Sequence, residues 1–192
     1  MAPASFQDVL DALEVPEEKV ALITGNASTA AKEVTLKYLQ VFTGDGNGFC
    51  SDLSERVKVA EVSILVNPEE SSKREARVVC ELMVEEEMLN QAGNLHGGCS
   101  VFLVDQCSTL PIAALMVETG APTNDSGVSQ SINTVFHAPA PLGTNLRIVT
   151  TSVITDSAML CSRAQIWDAD RHKLLVSGVH MKMIASAPRA KL

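Results

Sequence analysis

The stretch NQAGNLHGGCSVFLVDQCSTL, residues 90–110, sets two adjacent glycines ahead of a long apolar run that carries a single carboxylate, Asp105. A helix beginning at Gly97 would expose unpaired backbone N–H groups and a partial positive charge of about 0.5 e. Glycine there lets a ligand approach closely, because no Cβ intervenes. Such a terminus suits an oxyanion, or a carbonyl about to become one. The same pair, Gly97 and Gly98, would equally serve a tight strand-to-helix turn, and both readings stand at this point. Asp105 is costly in an apolar helix unless it is paired, solvated or functional.

Spacing adds a constraint. Asp105 lies eight residues beyond Gly97, about 12 Å along a helix axis at 1.5 Å per residue. Groups acting on one carbon must come within about 3 Å of the reacting atoms. If both act on the same carbonyl, they come from different subunits. Two antiparallel helices in a twofold dimer would bring Gly97 of one chain to Asp105 of the other. The expectation is an obligate homodimer with two composite sites.

The elements that must hold these groups follow from periodicity. A helix is expected over about 97–118, apolar nearly all round and so buried nearly all round. Gly120 is its C-terminal cap, Pro122 follows, and Pro111 predicts a bend. On its N-terminal side, REARVVCELMVEE alternates, with Ala76, Val78, Cys80, Leu82 and Val84 on one face. RVKVAEVSILV reads as an earlier strand. On its C-terminal side, GVSQSINTVFHA places Ser129 on one face with Asn133 and His137, polar residues suited to lining a cleft. NLRIVTTSVIT, AMLCSRAQIW and KLLVSGVHMKMI follow as strands, and Asp168 to Arg171 makes the last turn. Five or six antiparallel strands around one helix imply an α+β layer with a curved sheet.

Residues 1 to about 45 read as helical. SFQDVLDALEV carries an apolar face, and NASTAAKEVTLKYLQVFTG has Ser and Thr for caps and ends at Gly44. GDGNG then makes a turn. It is not a calcium loop, because Arg56 stands where the twelfth-position Glu belongs. The division expected is an N-terminal helical extension, 1–50, and a second unit, 51–192, that carries the chemistry.

Composition narrows the function. A formal net charge of −8 and a single Trp and Tyr argue against nucleic acid, which is held by clustered Lys and Arg and by stacking. Uninterrupted apolar runs are only a few residues long, short of the ~20 of a membrane span. MAPASFQDVLDALEVPEEK, with its acidic residues, reads as neither a signal nor a transit peptide. Five cysteines without CxxC or zinc spacing point to reduced thiols in an intracellular compartment. His137 and His180, on strands, read as surface or structural imidazoles. No His, Cys and carboxylate set has metal-ligand spacing, and the Gly-x-Ser-x-Gly of a serine hydrolase is missing from the sequence.

NQAGNLHGG…VDQCSTL, GVSQSINTVFHAPAPLGTNL and SGVHMKM together resemble the hotdog-fold acyl-CoA thioesterases, most closely the phenylacetate-pathway (PaaI) and acyl-CoA thioesterase thirteen-like group. The similarity spans about residues 57–185. It implies a hotdog fold, a curved antiparallel sheet wrapped around a long central helix, and hydrolysis of acyl-CoA to free acid and CoA in lipid metabolism. By resemblance Gly97 polarises the thioester carbonyl through its N–H, and Asp105 of the partner chain is general base or nucleophile. Asn90 positions water or substrate, and Ser129 orients the attacking water with Asp105. His96 orients by hydrogen bonding, and Gly98, Asn133 and His137 complete the substrate-binding set.

The resemblance further implies no metal or redox cofactor, CoA entering only as part of the substrate. It implies a homo-oligomer, a dimer or dimer of dimers, and a cytoplasmic setting compatible with mitochondrial association. One departure is Pro141, where many relatives carry a basic residue that helps hold CoA phosphates; Arg147, Arg163, Lys182, Arg189 and Lys191 are the basic residues near this end. Two other functions fit the same scaffold. A hotdog dehydratase or hydratase needs a catalytic His in a different setting, and a non-catalytic acyl-CoA-binding module would hold the thioester without cleaving it.

Overall fold

Alternating stretches become strands and the apolar run becomes the helix they enclose. The computed structural model describes residues 6–46, 48–121, 127–154 and 159–184; Pro122, Arg189 and Lys191 lie outside them. In chain order come α1 (Phe6–Ala12), α2 (Glu17–Ala21), α3 (Thr29–Thr43), α4 (Ser51–Arg56), β1 (Lys58–Val66), β2 (Arg74–Met83), α5 (Gly97–Thr119), β3 (Val128–Phe136), β4 (Asn145–Ile154), β5 (Met159–Asp168) and β6 (Lys173–Met183). The six strands form one sheet in the order β1-β2-β4-β5-β6-β3. Every neighbouring pair is antiparallel. This is the α+β hotdog arrangement, with helices added at the N-terminus. The β5–β6 turn forms where expected, the Asp168 carboxylate accepting the N–H groups of Asp170 and Arg171 at 3.1 and 2.9 Å.

α5 is enclosed because it has no polar face to offer water. Leu103, Val104, Cys107, Leu110, Ile112, Ala113 and Ala114 are all fully buried. The helix starts at the His96 cap, ends at Gly120 with φ 70°, and stays helical through Pro111 rather than breaking there. It is also long and apolar enough to cross a membrane, with mean hydropathy 1.6, although its uninterrupted apolar runs are short; 78% of that stretch is buried inside the protein. Apolar residues spread around a helix serve a protein interior as well as a bilayer, and here the sheet covers one side.

The extension covers another side. Ser28 caps α3 by accepting the Ala31 N–H, and Gly44 closes it with φ 55°. Ala31, Tyr38 and Leu39 are buried in the same apolar cluster as Leu103 and Leu110. Polar bonds fasten the helices to the rest. The Ser28 N–H donates to Glu118 Oε1 at 2.6 Å, Ser54 and Gln106 hydrogen-bond side chain to side chain, and Arg56 pairs with Glu85 and Glu87. Thr24 meanwhile pairs in parallel with Glu61 on the free edge of β1. The extension therefore caps a sheet edge and also roofs the central helix.

The close fit of α5 on the sheet is set at Gly178 of β6, where an added Cβ would lie 3.0 Å from Val104 Cγ1. Gly178→Val should destabilise the fold by about 1–3 kcal/mol through overpacking, read as a lower midpoint in urea unfolding. An unchanged midpoint would show that α5 can lift off the sheet freely.

Candidate active site

The start of α5 is held by its own loop. Asn90 Oδ1 accepts the N–H groups of Ala92 and Asn94 at 2.9 and 3.2 Å, so this side chain folds the turn. The Leu95 N–H donates to the Ala140 carbonyl and the His96 N–H to the Met88 carbonyl. His96 then caps the helix, its Nδ1 accepting the Gly98 N–H at 2.9 Å. An accepting Nδ1 in a neutral ring leaves the proton on Nε2. The two glycines are thus not equivalent. Gly98's N–H is used by the cap, whereas Gly97's N–H has no partner among the described residues. Gly97 packs beneath Phe136 of β3, whose ring would stand 3.4 Å from a Cβ there. The helix start therefore offers one free N–H beside an aromatic wall.

Two turns on, Asp105 belongs to a polar chain that links α5 to the sheet. Ser129 Oγ on β3 lies 3.0 Å from Asp105 Oδ1, and His180 Nε2 on β6 lies 3.0 Å from Ser129 Oγ. On the other side of the ring, His180 Nδ1 lies 2.7 Å from Ser108 Oγ. One set of protons satisfies all three contacts: Ser108 donates to His180, His180 Nε2–H donates to Ser129, and Ser129 donates to the carboxylate. Every member then ends on Asp105, whose side chain is still 44% exposed. His180 is fully buried. Burial, seconded by the Lys182 charge and opposed by Asp105, lowers its pKa to about 4. It is therefore neutral at pH 7, as the chain of donors requires. Lys182, also buried, donates to Thr109 Oγ1 at 3.1 Å.

These groups open onto a cleft of about 500 Å³ lined by Gly98, Asp105, Thr109, Ser129, Ile132 and Lys182, with Phe42, Phe49, Val101, Phe102 and Gln106. Two of the expected residues are not there. The β3–β6 register shifts between Ser129 and Ser131, so β3 carries a bulge of one residue. A bulge inverts the alternation beyond it. Ser129 consequently faces α5 together with Ile132, whereas Asn133 and Val135 line a cavity on the outer face of the sheet with Arg163 and Ser177. His137 bonds Ser177 Oγ at 2.8 Å on that side. Asn133 and His137 do not join Ser129 and Asp105. Conversely His180, read as a surface or structural imidazole, sits in the middle of the site. Its signal was strand phase, since it lies two residues from both Gly178 and Lys182 on the face of β6 that meets α5. Of the basic residues considered for phosphate, Lys182 lines the cleft, Arg163 is on the outer face and Arg147 approaches Glu61 at 3.9 Å.

Residues 92–175 match the sequence model of the thioesterase superfamily. Acyl-coenzyme A thioesterase 13 of Homo sapiens is 36% identical over 111 residues, which span 57% of this chain and 74% of the relative. The chain belongs to the thioesterase superfamily. The Mus musculus acyl-coenzyme A thioesterase 13 is 32% identical over the same shares of each chain. The crystal structure of zebra fish thioesterase superfamily member 2 superposes with a TM-score of 0.61 at 24% identity, covering 79% of this chain and 98% of that one. That last likeness is one of fold. The superfamily match includes Gly97, Asp105 and Ser129, while His180 and Lys182 follow just beyond it.

The neutral His180 couples stability to pH. Its folded pKa, about 4, lies below the ordinary 6.5, so between those values the unfolded chain binds the extra proton. Its contribution is complete above pH 6.5 and is lost as pH falls toward 4. Urea unfolding should show stability falling by up to about 1.4 kcal/mol per pH unit across that window, a slope that His180→Gln should flatten. An equal acid-side slope in that variant would mean other groups carry it.

Proposed function

We propose that this protein hydrolyses acyl-CoA thioesters to a free carboxylic acid and CoA, at sites completed by a second copy of the chain. The observation that carries the reading is the pairing of one free N–H at the start of α5 with a carboxylate held by Ser129 and His180. Membership of the superfamily, and the acyl-coenzyme A thioesterases among the relatives, support the same activity.

The chemistry runs on the chain's own groups and water. The Gly97 N–H hydrogen-bonds the thioester oxygen and stabilises the negative charge that grows there. Ser129 holds Asp105 through Oδ1, leaving the other carboxylate oxygen to take a proton from water as its oxygen attacks the carbonyl carbon. The tetrahedral intermediate collapses, the C–S bond breaks, and the proton on Asp105 passes to the departing thiolate. His180 stays neutral and positions Ser129.

A second copy is called for by distance, since Gly97 and Asp105 lie about two turns apart on one rigid helix. Support comes from the partly exposed carboxylate and from β3, which ends the sheet and leaves Val128, Val135 and Phe136 more than half exposed. An apolar edge strand invites pairing. Two copies meeting along β3 would set their helices side by side.

Asp105→Asn should lower thiol release from acyl-CoA at least ~100-fold with folding retained, because the side chain is partly exposed; near-unchanged turnover would remove it from the mechanism. Gly97→Pro deletes the oxyanion donor itself. Proline is favoured at a first helical position, and His96 already has the extended ψ of 137° that a following proline needs. The expected loss is ~100- to 1,000-fold, whereas Gly97→Ala, which keeps the N–H, should lose far less.

Co-refolding the two inactive variants, Asp105→Asn and Gly97→Pro, tests the shared site. Mixed dimers carry one intact site of two, so random assortment should restore roughly a quarter of wild-type activity. No recovery, with mixed dimers present, would place both groups' partners within one chain.

A further inference from the structure

Phe49 is 80% exposed, an odd position for a large apolar side chain on a segment otherwise locked in place. It lies between α3 and α4, one residue before the Cys50 N-cap of α4, whose Ser54 is bonded to Gln106 and whose Arg56 pairs with Glu85 and Glu87. Cys50, next to it, holds φ at 52°, a conformation a residue with a side chain adopts only under local constraint. A fixed frame thus presents the ring, and the ring points at the site. It meets Phe102 of α5 edge-on, centroids 5.6 Å apart at 71°.

Phe102 stands on the helix between Gly98 and Asp105, four residues after the first and three before the second, so all three share one face. On one side of the Phe49–Phe102 pair lies the Asp105 cleft. On the other lies a second cavity of about 660 Å³, reaching past His96 and Cys99 to Leu53, Met88 and Leu89, with the charged Asp52, Arg56 and Glu87 at its rim. Phe49, Gly98 and Phe102 line both. The aromatic pair therefore marks a junction between two largely apolar spaces, beside the helix start where the carbonyl is polarised.

We propose that the N-terminal extension builds an acyl-chain subsite over α5, and that Phe49 is its specificity-determining residue, covering the hydrocarbon of medium and long acyl-CoA substrates. The inference rests on the thioesterase reading above. The occupant is a hydrocarbon tail because Phe49, Phe102, Leu53, Met88 and Leu89 make most of the wall apolar, and that wall adjoins the place where its thioester is held. Binding the tail would also bury the exposed ring, a gain that a two-carbon acyl group is too short to reach.

The test compares kcat/KM for thiol release across straight-chain acyl-CoAs from acetyl to palmitoyl. In Phe49→Ala the ratio of the dodecanoyl to the acetyl value should fall about ten-fold or more, the scale of one aromatic contact. Leu22→Ala, which removes an equally exposed residue (79%) from another part of the extension, should leave the ratio unchanged. An unchanged ratio in Phe49→Ala overturns the proposal. A rise also overturns it, because Phe49 would then be a wall that excludes long chains. Calorimetry with non-hydrolysable alkyl-CoA thioethers reads the same length dependence without turnover. Length-dependent weakening there upholds the subsite even if the chain hydrolyses no thioester, whereas equal weakening at all lengths sinks it while hydrolysis stands.

Discussion

A helix that is apolar on nearly every side must be enclosed, and the enclosure of α5 governs the rest of the structure. The six-stranded sheet takes one side and α3 another, and Gly178 lets the sheet approach as closely as Val104 allows. Enclosure makes the helix rigid. Rigidity makes the distance between its first amide and Asp105 a fixed quantity, and under the proposed mechanism that quantity would place the two halves of the chemistry on different chains. A looser helix could not impose such a requirement, because catalytic geometry tolerates only small displacements.

Rigidity also explains how a carboxylate survives on this helix. Asp105 lies where α5 meets the end of the sheet, half in solvent and half against Ser129. Behind Ser129 the polar chain runs into the interior through His180 to Ser108. A buried imidazole held neutral donates to one hydroxyl and accepts from another, so no buried polar atom of that ring is left without a partner. Its charge would be costly there, and the Lys182 ammonium nearby adds to that cost. The same burial that stabilises the fold therefore fixes the protonation pattern of the site.

The helical extension is coupled to this core rather than appended to it. Phe42 and Phe49 line the same cleft as the carboxylate, and Ser54 of α4, just past the extension, bonds Gln106, the residue beside Asp105. Any movement of α4 would be felt one residue from the carboxylate. The extension packs against α5 and reaches the cleft through Phe42 and Phe49, so it is placed to affect what the site accepts.

Much of the architecture was legible in the residues. Strand alternation in REARVVCELMVEE, the all-round apolarity of 97–119, the Ser28 and Gly44 caps and the Asp168 turn are local signals, each set by a short-range preference that the tertiary structure had no reason to override. The motif from Asn90 to Asp105 and the arithmetic of helical rise were legible too, because an α-helix has one geometry. Three matters were decided only in three dimensions. The one-residue bulge in β3 parted Ser129 from Asn133 and His137, and nothing in an alternating pattern announces where pairing will slip. The capping choice of His96 used the Gly98 amide and left that of Gly97 without a partner among the described residues. His180 became central because β6 pairs with β3, strands separated by two others in the chain, and only that long-range pairing brings its ring to Ser129. Local sequence determines which elements form and which face is apolar; register and neighbour choice depend on contacts between distant segments, and the polar chain at the site exists only where those contacts fall.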